Sequence, residues 1–233
     1  MRLSARARAP ARLVESADMT TTSVSPADAL AALLAGNRRF VAGAPQHPNQ
    51  DAARRAELAP AQKPFAVLLG CSDSRLAAEI IFDQGLGDLF VVRTAGHVLG
   101  PEVLGSIEYG TSVLDCRLVV VLGHDSCGAV AAARAAVEDG LSAAGYVRDV
   151  VERVTPSVLA ARAAGLTSDS DLIDTHILHT VDLLLDRSRV LADQVASGHT
   201  GVVGLAYQLA EGSARLVTAH GIPTESAPVR RTR

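Results

Sequence analysis

Two hydrophobic patterns alternate along the chain, and their alternation predicts an α/β fold. Continuous apolar runs are typical of strands buried on both faces of a parallel sheet, and they occupy residues 64–70, 88–93 and 117–123. Segments with helical character separate and follow these runs, at residues 77–84, 101–115, 127–140, 145–165 and 171–197. A closing pair of strands is predicted at residues 200–209 and 213–219. We expect one domain with a mostly parallel central sheet of about four or five strands, flanked by helices.

An N-terminal helical arm is predicted ahead of this sheet. Ser25 and Pro26 are residue types favoured at the N-cap and first position of a helix, and Gly43 suits its C-terminal end. Apolar side chains recur between them at helical spacing, at Leu30, Leu33, Leu34, Phe40 and Val41. Such a stripe requires a surface to cover it, which favours a dimer.

The segments on either side of this arm have no apolar period. Residues 44–63 are predicted to form an extended connection into the first strand. Residues 1–24 are rich in Arg, Ala, Ser and Thr, and they predict a disordered tail unless translation begins at Met19. Residues 25–225 then form the folded domain.

Composition excludes several classes of protein. A hydrophobic content of 48% and a net charge of −3 are ordinary for a globular protein, so neither a nucleic-acid nor a membrane partner is expected. No run approaches the roughly 20 apolar residues of a membrane span, and the N-terminus lacks the apolar stretch of a secretory signal. Three cysteines, an odd number, do not form a disulfide framework and favour reduced thiols. We therefore expect a cytoplasmic protein.

Soft metal ligands follow two of the predicted strands. Cys71 comes directly after the first apolar run, and His124 and Cys127 come after the third. Because sites in open α/β sheets form at the carboxyl ends of strands, these side chains should meet at one edge. Two thiolates and an imidazole suit Zn²⁺ better than Mg²⁺ or Ca²⁺. Three such ligands leave the fourth position to water or to Asp73, which distinguishes a catalytic zinc from a structural one.

Asp73 and Arg75 lie two residues apart in the turn after Cys71. They could form a surface salt bridge worth about 0–1 kcal/mol. Beside a dication, however, the carboxylate either ligates the metal or accepts a hydrogen bond from metal-bound hydroxide. Arg75 can hold Asp73 away from the ion, and zinc lowers the pKa of its water to about 7. This arrangement predicts a hydration or hydrolysis catalyst.

Three motifs together resemble those of the β-class carbonic anhydrases. They are CSDSR at residues 71–75, RTAG at 93–96 and GHDSCG at 123–128, and the resemblance extends over roughly residues 26–220. It implies that residues 25–225 are a catalytic domain that converts CO₂ and water reversibly to bicarbonate and a proton. It also implies one Zn²⁺ per chain, bound by Cys71, His124 and Cys127. Asp73 and Arg75 would be the catalytic dyad that orients zinc-bound hydroxide, with Asp73 a fourth ligand only in a closed state.

Substrate-binding positions are implied by the same resemblance. Three residues match pocket residues of enzymes similar to those of plants: Gln62, Phe90 and Tyr109. In those enzymes, residues of two chains complete the pocket together. Gly128 lies beside the zinc ligands. A homodimer or homotetramer acting on CO₂ and bicarbonate is therefore expected. Leu68 stands where bicarbonate-inhibited bacterial relatives carry a tryptophan, which argues against their allosteric bicarbonate pocket although Arg93 is retained.

Several other residues have two interpretations. His97, in the loop after RTAG, could relay protons. His176 and His179 have the spacing of a second metal pair, but histidines on a helix surface are the more common explanation. Cys116 is predicted to be a packed core thiol, and Asp125 a turn-forming residue.

Two alternatives to CO₂ hydration remain open from the sequence. The first is hydrolysis of a related cumulated substrate, COS or CS₂, on the same scaffold. The second is a structural zinc protein in which Asp73 is a permanent fourth ligand. Arg75 argues against the second, because a structural site has no need to restrain Asp73.

Overall fold

The computed structural model describes residues 24–222, so the predictions for residues 1–23 and 223–225 lie outside the described part of the chain. Its strands are β1 (Ala66–Cys71), β2 (Leu89–Thr94), β3 (Leu118–His124), β4 (Gly201–Tyr207) and β5 (Ala214–His220). They form one sheet in the order β2-β1-β3-β4-β5, in which only β5 is antiparallel to its neighbour. The predicted α/β class and the mostly parallel sheet are confirmed.

Helices flank this sheet. They are α1 (Pro26–Val41), α2 (Ala52–Leu58), α3 (Ala78–Ile81), α4 (Pro101–Ser112), α5 (Gly128–Asp139), α6 (Val147–Ala163), α7 (Asp169–Arg187) and α8 (Arg189–Ala196). A 3₁₀ turn, Ala95–His97, follows β2. The helical region predicted at 171–197 divides at Ser188, whose extended backbone interrupts the helix and whose Oγ accepts the N–H of Leu191 to begin α8. Among residues 24–222, no helix is both long and apolar enough to cross a bilayer.

Two local predictions were wrong in detail. Residues 44–63 are not fully extended, because Asp51 caps α2 by accepting the N–H of Arg54 at 2.8 Å. The helix predicted at 77–84 has only four residues. It ends at Ile81, shortly before Asp83, whose φ is positive at 46°. Asp83 is buried, and its carboxylate accepts backbone N–H groups from the segment that precedes α2.

The N-terminal arm begins as predicted but covers its own chain. Ser25 caps α1, and Leu30 and Leu33 are buried against the same chain. The Asn37 side chain fixes the end of the helix by donating to the carbonyl oxygens of Ile81 and Gly212 at 3.1 and 2.8 Å. Two of the five apolar residues of this stripe are thus covered by their own chain, while the other three stay half-buried or exposed and are available to a second chain.

Helix α7 packs closely enough on β3 and β4 to fix the edge at which the strands end. A Cβ at Gly123 would lie 2.6 Å from the side chain of Ile177, and one at Gly204 would lie 2.4 Å from the same side chain. The whole of β1 and β3 is buried. The two strands therefore hold their last residues, Cys71 and His124, in a rigid setting.

Candidate metal centre and active site

Three potential metal ligands converge where β1 and β3 end side by side. Cys71 is the last residue of β1, His124 is the last of β3, and Cys127 precedes the first residue of α5. The two strands are parallel neighbours, with Gly70 aligned to Leu122. One ligand atom from each of the three residues lies within 4.8 Å of the others, and all three side chains are buried.

The His124 ring is oriented by the backbone. Its Nδ1 lies 2.7 Å from the carbonyl oxygen of Asp125, and because a carbonyl only accepts, Nδ1 carries the proton. Nε2 is therefore a bare acceptor, and among the described residues it has no hydrogen-bond partner although it is buried. A buried acceptor without a partner beside two thiols fits a metal ion, because a metal would satisfy it.

The two thiols shift each other's pKa in opposite directions. The hydrogen bond from Cys127 lowers the pKa of Cys71 to about 4, and the same bond raises the pKa of Cys127. The N–H of Gly96 also donates to the Cys71 sulfur, at 3.3 Å. Cys71 is thus prepared as a thiolate, and a metal ion would displace the proton that Cys127 retains.

Asp73 lies beside the three ligands and is held by Arg75. Arg75 donates from Nε to Oδ1 at 2.9 Å and from Nη2 to Oδ2 at 2.7 Å. This bidentate hydrogen bond holds the pKa of Asp73 well below its usual range. Asp73 Oδ2 is 4.0 Å from His124 Nε2, so the ionised carboxylate borders the ligand set.

Arg93, at the end of β2, holds the same turn from the other side. Its Nε donates to the carbonyl oxygen of Cys71 at 3.0 Å, and its Nη2 donates to that of Asp73 at 2.6 Å. Arg75 Nη2 also reaches the carbonyl oxygen of Ser126 at 3.4 Å. Both arginines therefore restrain the backbone around the ligands.

The chain resembles carbonic anhydrases in sequence and in fold. A sequence model of the family described as Carbonic anhydrase matches residues 66–214. Carbonic anhydrase 2 of Mycobacterium tuberculosis is 57% identical over 194 residues, which are 83% of this chain and 94% of that protein. The chain belongs to the β-class carbonic anhydrase family.

Solved β-carbonic anhydrases share the fold. The enzyme CafA of Aspergillus fumigatus is 27% identical and superposes with a TM-score of 0.62, over 84% of this chain and 93% of that one. A tetrameric β-carbonic anhydrase of Sordaria macrospora, 22% identical, gives a TM-score of 0.62 over 71% of this chain and 86% of that one. The described sheet and its helices are therefore those of a β-carbonic anhydrase.

The residues implied to bind substrate in this carbonic anhydrase are not gathered at the metal ligands of the same chain. Phe90 is aligned with Val67, four residues before the end of β1, which is about 13 Å along the strand. Tyr109 on α4 is exposed, and its ring centroid lies 6.1 Å from that of Phe90. Gln62 is exposed at the opposite end of β1 from Cys71.

Only one of the four implied substrate-binding residues adjoins the ligands of its own chain. Gly128 is the first residue of α5, directly after Cys127. A Cβ built at Gly128 would meet no atom outside its own helix and its chain neighbours within 4 Å, so there is open space next to this residue.

Two of the remaining interpretations needed revision. His176 is not on the surface: it is buried, and its two ring nitrogens lie 2.9 Å from the carbonyl oxygen of Gly96 and the Oγ of Ser157. Its nitrogens are therefore occupied, and it forms no second metal pair with the half-buried His179. The second concerns His97: a proton relay there would have to exchange with solvent through a side chain that is completely buried.

Cys116 is confirmed as a core thiol. It is buried, and its sulfur lies 3.4 Å from the carbonyl oxygen of Pro64. Burial raises its pKa to about 12, so it contrasts with the thiols at the metal ligands.

Asp125 has a larger structural role than the sequence indicated. Its carbonyl oxygen accepts from His124, while its carboxylate accepts the N–H of Leu209 at 2.9 Å in the turn between β4 and β5. Asp125 thereby ties the metal-ligand loop to a turn more than 80 residues away. A short polar side chain after His124 was the only sequence signal for this contact.

Proposed function

We propose that this chain catalyses the zinc-dependent, reversible hydration of CO₂ to bicarbonate and a proton. The observation that carries the proposal is the position of Asp73. Both of its carboxylate oxygens are engaged by Arg75, and Oδ2 lies 4.0 Å from His124 Nε2. The carboxylate is thus held next to the three-ligand set while those ligands leave a fourth position for chemistry.

Cys71, His124 and Cys127 would hold the zinc ion. When bound there, zinc supplies Lewis-acid activation of water, lowering its pKa to about 7. The chain contributes the orientation of the nucleophile: Asp73, kept ionised by Arg75, can only accept a hydrogen bond. A water molecule beside the ligand set could therefore donate one O–H to Asp73, and that hydrogen bond would fix the orientation of the water.

We further propose that a second copy of the chain completes the pocket. Phe90 and Tyr109 pack together about 13 Å along the sheet from the ligands of their own chain. Tyr109 and Gln62 are both exposed, so they are free to line the pocket of a neighbouring subunit. A homodimer is the smallest assembly that provides this exchange.

The decisive experiment is stopped-flow CO₂ hydration with zinc content measured on the same sample. We expect about one zinc per chain and a turnover that disappears on chelation and returns with zinc. Asp73→Asn is the matched variant, since it keeps the size of the side chain and removes its charge. A zinc-loaded wild-type protein that fails to accelerate CO₂ hydration would show that this proposal is wrong, and it would leave hydrolysis of COS or CS₂ and the structural-zinc site as the alternatives.

A further inference from the structure

A buried histidine on α7 is hydrogen bonded to the loop that contacts Cys71. His176 is 2% exposed, with Nε2 2.9 Å from the carbonyl oxygen of Gly96 and Nδ1 2.9 Å from Ser157 Oγ. Because the carbonyl only accepts, Nε2 carries the proton, and Nδ1 must accept from the Ser157 hydroxyl. The two partners therefore fix a single tautomer and a single orientation of the ring.

Gly96 connects this ring to a metal ligand. Its N–H donates to Cys71 Sγ at 3.3 Å while its carbonyl accepts from His176. Gly96 has a left-handed backbone, with φ 63° and ψ 22°, and a Cβ there would lie 2.7 Å from the Cβ of Ala129. The position of Gly96 is thus set by tight packing and by hydrogen bonds on the two peptide groups that flank its Cα.

We propose that His176 is a positioning residue for Cys71, holding the Gly96 N–H against the ligand sulfur through the Gly96 carbonyl. An N–H···S hydrogen bond fixes the orientation of a thiolate ligand and draws charge from its sulfur. The inference rests on the metal site of the proposed function, because Cys71 must be a ligand for its sulfur to need positioning.

A second buried histidine, His97, packs against the His176 ring. It is completely buried, its ring centroid lies 4.4 Å from that of His176, and neither of its nitrogens has a hydrogen-bond partner in the described part of the chain. Burial lowers the pKa of His97 well below its usual value and lowers that of His176 to about 4. Both rings are therefore neutral at physiological pH, which preserves the His176 tautomer that donates to Gly96.

The test compares two substitutions at His176 in the full-length zinc protein. His176→Phe keeps an aromatic ring but has no donor for the Gly96 carbonyl, whereas the side-chain amide of His176→Gln can still donate to it. His179→Phe and His179→Gln, three residues along the same helix and half-buried, are the matched controls. Zinc affinity is measured by chelator competition, and the thiolate-to-metal charge-transfer band is recorded after Co²⁺ substitution.

We expect His176→Phe to weaken zinc affinity about 10–100-fold, as loss of an outer hydrogen bond to a ligand does, and to shift the charge-transfer band. His176→Gln should recover most of the affinity and the wild-type band, and both His179 variants should match wild type. If His176→Phe binds zinc as tightly as wild type with an unshifted band, His176 is only a core residue, whatever happens to the melting temperature.

A milder variant keeps the inference testable if His176→Phe does not fold. Ser157→Ala removes the hydroxyl that fixes the His176 ring, and it should shift the cobalt band in the same direction by a smaller amount. An unchanged band in Ser157→Ala would overturn the inference. Wild-type protein that binds neither Zn²⁺ nor Co²⁺ would instead overturn the proposed function.

Discussion

At the scale of single residues, the thiols differ in ways that can be measured. The hydrogen bond between Cys71 and Cys127 lowers the pKa of Cys71, whereas burial raises the pKa of Cys116 to about 12. Burial, together with a hydrogen bond to the Pro64 carbonyl that needs the thiol proton, keeps Cys116 neutral, while the other two thiols are prepared for metal ligation. The same residue type therefore serves two purposes within one core.

This contrast gives the first prediction. Cys71→Ser, His124→Ala and Cys127→Ser should each lose zinc and lower the melting temperature, because metal binding stabilises the folded state. Cys116→Ser is the control, since a hydroxyl can still donate to the Pro64 carbonyl. Zinc content by mass spectrometry and thermal unfolding would be compared. Full zinc occupancy in Cys127→Ser would contradict the ligand assignment.

Arg75→Ala provides the second prediction. Without its partner, the pKa of Asp73 should rise toward its ordinary value of about 3.9, so the carboxylate stays ionised at neutral pH. Its charge is retained but its restraint is lost, and it is then free to ligate the metal. We expect zinc to remain bound while CO₂ hydration is abolished, and Arg75→Lys to recover part of the activity.

Zinc-edge X-ray absorption on Arg75→Ala measures this change directly. Four protein ligands, with Asp73 as the fourth, are the expected result. A fourth ligand that is still water in this variant, together with lost activity, would mean that Arg75 does not act by restraining Asp73.

At the scale of elements, the contact between α7 and the sheet positions the end of β3. Gly204→Ala should cost about 1–3 kcal/mol, because the added Cβ would lie 2.4 Å from Ile177 in a packed core. Gly105→Ala on the exposed side of α4 is the matched control, with no atom within 4 Å of the new Cβ, and it should stabilise by about 0.5–1 kcal/mol. Urea unfolding of both variants would measure the difference. Equal stabilities would mean that α7 adjusts to the extra methyl group.

The elements also show what the sequence could and could not predict. The sequence could predict that Cys71 and His124 lie close together, because each of them follows a buried apolar run and neighbouring parallel strands end at the same edge of the sheet. His176 could not be assigned, because its Gly96 partner lies 80 residues away and its i, i+3 spacing with His179 equally suits a helix surface. The packing of α1 on its own chain was also missed because its partners are distant in sequence. The Asn37 side chain donates to the carbonyl oxygen of Gly212, 175 residues later.

At the scale of the whole molecule, exchange of pocket residues between subunits can be tested by mixing inactive chains. Asp73→Asn chains lack the dyad, and Tyr109→Ala chains lack the pocket residue. If Tyr109 lines the pocket of the neighbouring subunit, each mixed dimer has one site in which both Asp73 and Tyr109 are intact. Refolding the two chains together should then restore about a quarter of wild-type activity.

The alternative outcome of this mixing experiment is equally clear. If Tyr109 serves its own chain, every site in a mixed dimer lacks one residue and activity stays at the level of the separate variants. Sedimentation of the mixture confirms that dimers have formed. A wild-type chain that is fully active as a monomer would exclude the shared pocket altogether.

The strand order has a consequence for synthesis of the protein. Cys71, His124 and Cys127 are all translated before β4, the strand that covers the far side of β3. After Cys127, 80 more residues must be added to reach Tyr207, the last residue of β4. At about 5–20 residues per second, a ribosome needs about 4–16 s to add them. During that interval β3 lacks its neighbour β4, so the sheet that buries the two thiols is incomplete. The oxidants and metal ions present where the chain is synthesised can therefore act on these thiols before the completed fold encloses them.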